Sequence, residues 1–161
     1  MTEIHQDIQL LESEIAKSVQ FIEKIEIFYD SHIETILSDK SDIRNAITIS
    51  EIFVNYYTCI ETIFFRIASF FENNLSKDRW HTELLKRMTL KVNGIREQVI
   101  SDKTYEILDE FRRFRHFKRY YFDFSYDWDK LEFLKKKFDT LRIAIKQDIN
   151  SFNDFLDKLK D

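Results

Sequence analysis

The stretch EFRRFRHFKRYYFDF, residues 110–124, holds the chain's densest mixture of cations, aromatics and a proton-transfer group. On a helix advancing about 100° per residue, Arg112, Arg115, His116 and Arg119 fall within an arc of about 100°, at i, i+3, i+4 and i+7. Guanidinium forks match phosphate oxygens bidentately, and an imidazole moves protons near neutral pH. Together they have the parts for RNA cleavage without a metal. That reaction needs a base for the 2′-hydroxyl, an acid for the departing 5′-oxygen and fixed positive charge on the phosphorane. The plainer alternative is a solvated basic face on a bundle helix. Like charges this close repel by a few tenths of a kcal/mol per pair, and no acid lies between Phe111 and Phe122. Relief has to come from acids on another helix, from solvent or from an anionic ligand. Phe114, Phe117 and Tyr121, with Ile107 above them, lie on the other side and are expected in the core.

The elements that hold this face are legible from apolar spacing. Ile4, Ile8, Leu11, Ile15, Val19, Ile22, Ile25, Tyr29, Ile33 and Ile36 form one stripe of a long first helix. SDKS at 38–41 is a polar break rich in N-cap types. A second long helix follows, with Ile43, Ile47, Phe53, Tyr57, Ile60, Phe64, Ile67 and Phe71 inward. After ENNLSKD, Ser76 can cap a short third helix, DRWHTELLKRMTL. KVNGIRE carries the one Asn-Gly turn signal. Ser101 and Asp102 open a fourth helix through Phe122. After DFSYD a long fifth begins, with Leu131, Leu134, Phe138, Leu141, Ile145, Ile149, Phe152, Phe155 and Leu159 inward. Residues 1–161 therefore read as a single all-α domain, an antiparallel bundle of about five helices with two long helices first and a long one last.

Composition agrees. The chain has 161 residues, no proline and one glycine, Gly94, where roughly eight prolines would be average; long uninterrupted helices are permitted and hairpins lack punctuation. Apolar residues at 43% and aromatics at 16% exclude disorder. The net charge of −4 excludes a general polyanion binder, so any nucleic-acid site is local. Cys59, the one cysteine, rules out an internal disulfide and reads as a buried thiol in a reducing cytosol. MTEIHQDIQLLESE lacks the basic and apolar regions of a signal peptide, and no apolar run approaches membrane-spanning length; a cytoplasmic protein is expected.

Three stretches, NYYTCIETIFFRIA, RWHTELLKRMTLKVNGIR and ILDEFRRFRHFKR with the following DF and DW, resemble HepT-like proteins of the HEPN superfamily. The similarity runs from about Asn55 to the C-terminus, and Trp80-His81, Met88-Thr89-Leu90 and Gly94-Ile95-Arg96 are its most distinctive part. The resemblance implies a helical homodimer with a composite ribonuclease cleft where two fourth helices meet. It also implies a toxin role beside an MNT-type nucleotidyltransferase antitoxin, an RNA substrate and no cofactor or metal. The superfamily motif is an arginine, four to six residues, then a histidine, often followed by x-Tyr. Counting from Arg115, the histidine position falls on Tyr120 and the tyrosine position on Phe122, while His116 stands only three residues beyond Arg112. A tyrosine, with a pKa near 10, is a poor base at neutral pH. Either His116 takes over among Arg112, Arg115 and Arg119, or the chain binds RNA or its nucleotidyltransferase without cutting. In the better-known pairs the antitoxin adenylylates the motif tyrosine. Phe122 cannot accept that group, so neutralisation differs or Tyr120 or Tyr121 substitutes.

Glu61 and Arg66 also match the family pattern, and Glu61 is placed either in an ordinary bundle ion pair or against the fourth-helix arginines. His81 is expected to cap or pack, His5 and His32 to be exposed, Tyr56 and Tyr57 to be core, and LKKKFD at 134–139 to be solvated. No histidine pair has metal-ligand spacing on one helix, and one glycine cannot build a phosphate loop. Surplus aromatics on both helix faces suit self-association.

Overall fold

The computed structural model describes residues 2–72, 80–120 and 124–161. They form α1 (Glu3–Ser38), α2 (Ile43–Phe71), α3 (Trp80–Arg87), α4 (Asp102–Tyr120) and α5 (Trp128–Lys158), an all-α bundle in which α1, α2 and α5 are the long members. The polar breaks end helices where the sequence places them. Asp42, one residue past SDKS, is the N-cap of α2 and accepts from the Arg44 amide at 3.0 Å. Ser101 Oγ accepts from the Thr104 amide at 3.1 Å at the start of α4, and the Asp127 carboxylate caps α5. Each cap satisfies an amide that the first helical turn leaves without a partner. The expected cap at Ser76 lies outside the described residues. α3 stops at Arg87 rather than running to Leu90, because the Met88 carbonyl accepts from Val99 and Ile100 at 2.8 and 3.1 Å, which turns the chain away.

Side-chain pairs give the helix directions. Arg66 meets Glu14 and Tyr56 meets Glu26, so α2 runs antiparallel to α1. Lys160 meets Glu12 and Arg142 meets Asp30, so α5 also opposes α1. Ser101 meets Asp148 and Lys130 meets Glu110, so α4 opposes α5. At the centre Phe138 of α5 touches Tyr29 of α1 (ring centroids 4.5 Å), Phe53 and Tyr56 of α2 (5.6 and 4.7 Å) and Phe111 of α4 (6.5 Å). One ring of α5 thus sits against three other helices and is fully buried.

Several expected core positions are corrected. Ile4, Ile43 and Leu159 are 62%, 45% and 41% exposed; each stands at a helix end. In α4 the buried apolar residues are Ile107, Leu108, Phe111 and Phe114, whereas Phe117 is half exposed. Three-residue steps fall short of a full turn by about 60° each, so the ridge through Phe111 and Phe114 carries Phe117 out of the core. Tyr121 lies outside the described residues. Cys59 is only partly buried, His5 is half-exposed, and His32 is exposed and stacks on Phe28.

The α3–α4 connection is anchored by Arg96. Val92 and Arg96 bridge across the turn, in which Gly94 has φ of +76°, a left-handed conformation that favours glycine. The Arg96 guanidinium is fully buried and donates to the Leu90, Glu97 and Arg87 carbonyls and, at 2.6 Å, to Glu72 at the end of α2. This fixes the loop, and with it α3, against α2. Among the described residues, no helix is long and apolar enough to cross a membrane.

Replacing Phe138 by Ala removes the ring common to four helices. We expect a loss of about 3–5 kcal/mol of unfolding free energy in urea or guanidinium titrations, against a change below about 1 kcal/mol for Phe133→Ala on the exposed side of α5.

Candidate functional site

Glu61 is a nearly buried carboxylate on the inner side of α2. A charge removed from water is costly unless donors surround it. Arg115 of α4 supplies two, with Nη1 and Nη2 at 2.8 and 2.9 Å from the two carboxylate oxygens, the bidentate fork that carboxylates favour. His81 of α3 supplies a third, its Nδ1 standing 2.9 Å from Glu61 Oε2. Arg115 Nη1 also donates to Thr58 Oγ1 at 3.3 Å, and its guanidinium carbon sits 4.7 Å over the Tyr57 ring. Three helices therefore meet on one carboxylate.

Each side chain is placed by its element. Tyr57 and Thr58 stand four and three residues before Glu61 on α2, so each borders it on the helix surface. Trp80 lies against His81 with ring centroids 3.5 Å apart and the rings tilted by 32°, and is met edge-on by Phe65 of α2 at 5.5 Å, which restricts the imidazole. Thr82, next on α3, accepts from Arg112 Nη1 at 3.2 Å. Arg112 is otherwise held by Asp109 at 2.7 Å, which also takes Arg113 at 2.8 Å.

The crowded arginines thus find relief from two sources. Arg115 is neutralised by an acid on another helix, and Arg112 by an acid one turn back on its own, just upstream of the acid-free run. Arg119 is exposed, and among the described residues no carboxylate pairs with it. His116 is exposed on the same side of α4. Arg112, Arg115, His116 and Arg119 therefore do share a face, with Arg115 at its inner edge. Glu61 takes the second of its two expected placements, against the fourth-helix arginine. Arg66, also singled out from the resemblance, pairs with Glu14 of α1 at 2.6 Å, outside the cluster. The side chain of Tyr120, and residues Tyr121 and Phe122, lie outside the described residues.

His81 is the residue that the sequence set aside as packing. It does pack on Trp80, but its ring nitrogen also stands between Glu61 and Arg115, whose Nη2 lies 3.2 Å from Nδ1. No spacing rule joins residues so far apart in the chain. The available signal was chemical: a histidine, an acid and an arginine all inside the resembling blocks.

Burial and neighbouring carboxylates push three tyrosines well above their usual pKa. Tyr57 is shifted chiefly by burial and then by the Glu61 charge, Tyr56 by burial and then by Glu26, and Tyr29 by burial and then by Asp139. Tyr56 donates to the buried Glu26 at 2.8 Å, so α2 uses adjacent tyrosines beside two different buried acids.

A family model described as HepT-like protein matches residues 48–156, which takes in nearly all of α2, the whole of α3 and α4 and almost all of α5. Every residue of the cluster falls inside the match. No match to a curated protein or to a solved structure was found.

For Tyr29, Tyr56 and Tyr57 the folded pKa lies above the unfolded value of about 10. Their contribution to stability is then fully present below about pH 10 and is lost as pH rises beyond it. In an alkaline titration followed at 295 nm and by far-ultraviolet circular dichroism, these three should ionise together with the loss of helix. Ionisation of all of them while helicity stays native would contradict the burial described here.

Proposed function

The chain belongs to the HepT-like family, and from that premise we propose that it is the toxin of a toxin–antitoxin pair, acting as a metal-independent endoribonuclease. The observation that carries this reading is the face of α4. Arg115 is clamped by Glu61, while Arg112, His116 and Arg119 lie beside it on the accessible side. Of the five N–H groups of an arginine, three on Arg115 donate to Glu61 and Thr58. The remainder, with Arg112 and Arg119, serve the phosphate, and His116 transfers a proton. A guanidinium already fixed by a carboxylate loses little further freedom on meeting a phosphate, which is the advantage of preorganisation.

The active form is a homodimer that brings two such faces into one cleft. Supporting this, Phe21, Phe28 and Ile27 of α1 are 47%, 45% and 66% exposed. The groove that Phe21 and Phe28 form with α2 runs to Thr58, the residue bonded to Arg115. An apolar surface continuous with the site suits a second copy. The partner in the cell is an MNT-type nucleotidyltransferase antitoxin.

A second reading has its own support. Arg112 and Arg115 are both paired with acids, and the motif's histidine position falls on Tyr120, which fits a module that binds RNA or the nucleotidyltransferase without cutting. One experiment separates the two. Purified protein is incubated with short single-stranded RNAs in EDTA, and its mass is measured by light scattering. We expect cleavage that EDTA does not abolish, a mass twice 19.7 kDa and a drop of about 10²–10⁴-fold in His116→Ala with unchanged helicity. Salt-dependent RNA binding that never leads to cleavage would establish the binding module instead.

A further inference from the structure

We propose that His81 is the general base of the ribonuclease site, taking the 2′-hydroxyl proton on Nε2 while Glu61 holds its Nδ1; this rests on the ribonuclease reading above. Cleavage without a metal moves two protons, one off the attacking oxygen and one onto the leaving oxygen. The α4 face offers one imidazole, His116. The second imidazole comes from α3, at the other side of Arg115.

The contact at 2.9 Å between His81 Nδ1 and Glu61 Oε2 fixes the position of the hydrogen. An ionised carboxylate only accepts, so Nδ1 carries the hydrogen and donates it. Arg115 Nη2, 3.2 Å from the same nitrogen, is also only a donor. That approach is therefore two donors meeting around one carboxylate, not a bond between them. With the hydrogen on Nδ1, the neutral ring presents its lone pair at Nε2, and among the described residues none bonds that atom. A carboxylate behind an imidazole sets the tautomer and stabilises the imidazolium formed when the far nitrogen takes a proton. The side chain is 36% exposed, so substrate can reach it, and Trp80 keeps the ring from turning. Among the described residues, the charged groups facing His81 are Glu61 from α2 and Arg115 from α4; Glu83 and Arg87 on its own helix pair with each other at 2.6 Å.

With a phosphate against Arg115, the step balances as follows. His81 Nε2 takes the proton of the 2′-hydroxyl, and the 2′-oxygen bonds to phosphorus. The bond from phosphorus to the 5′-oxygen breaks, and that oxygen leaves with a proton from the His116 imidazolium. The products are a 2′,3′-cyclic phosphate and a 5′-hydroxyl, with no change of oxidation state.

The test measures cleavage of a short single-stranded RNA by the full-length protein from about pH 5 to 9, across the range in which histidine titrates. The wild-type rate should rise with pH at the acid end. His81→Ala should cut about 10²–10⁴-fold more slowly, bind RNA as before and lose that rise, whereas His116→Ala should be slower but keep it. Independently of turnover, long-range ¹⁵N–¹H imidazole spectra of the wild type should show His81 as the Nδ1–H tautomer, an assignment that Glu61→Gln disturbs. Wild-type activity in His81→Ala, an unchanged pH rise in that variant, or an Nε2–H tautomer would each overturn the inference while leaving the ribonuclease reading standing. Absence of cleavage by the wild type would remove both. Should His81→Ala fail to fold, the tautomer in the wild type and the pH profile of His81→Gln decide.

Discussion

Glu61 is an acid that folding places on the inner side of α2, between Ile60 and Phe64, and the site depends on how its charge is met. Leaving it without donors in that position would cost several kcal/mol. The bundle answers with Arg115 from α4 and His81 from α3, so the same carboxylate that must be satisfied also decides how α4 is rotated and where α3 docks. Tyr57 beneath the guanidinium and Thr58 beside it narrow the allowed positions of Arg115 further. Arg96 does a related service for the connection, because its buried pair with Glu72 ties the turn after α3 to the end of α2. Two buried ion pairs therefore bracket α3, the shortest helix among the described residues.

Where α5 packs on α1 and α2, the device is repeated around a second buried acid. Glu26 of α1 is buried, accepts from Tyr56 and lies 3.6 and 3.3 Å from Arg142 and Lys146 of α5. There the cations are themselves shared with other groups, Arg142 with Asp30 at 2.6 Å, and the network reads as a helix–helix fastening. The contrast lies in what surrounds the arginine. Around Arg115 the sequence adds Arg112, His116 and Arg119 on the solvent side, an excess of positive charge and an imidazole that fastening alone does not require. Asp109 neutralises one part of that excess, which leaves a face able to meet an anion without repelling itself apart.

The helices were legible because each long one keeps a single apolar stripe, and because the breaks carry capping residues that act through local hydrogen bonds. The shared face of Arg112, Arg115, His116 and Arg119 was legible for the same reason: it depends only on spacing within α4. Errors arose where spacing stops deciding. Phe117 follows Phe114 by a three-residue step that turns it out of the core, and Ile4 and Leu159 stand exposed at helix ends. The contact of His81 with Glu61 was not legible, because it is set by the loop that docks α3, a tertiary event anchored at Arg96. Glu61 allowed two readings, and only the packing of α4 on α2 chose between them.

The Glu61–Arg115 pair acts as one unit that couples α4 to α2. A double-mutant cycle tests this coupling most directly, with unfolding free energies measured for wild type, Glu61→Gln, Arg115→Gln and the double variant. We expect each single change to be destabilising and the double to cost less than their sum by about 1–3 kcal/mol, since the second substitution removes a group already left without its partner. Effects that add to within about 0.5 kcal/mol would mean that the two residues do not act as a unit, and the account of the site would fail.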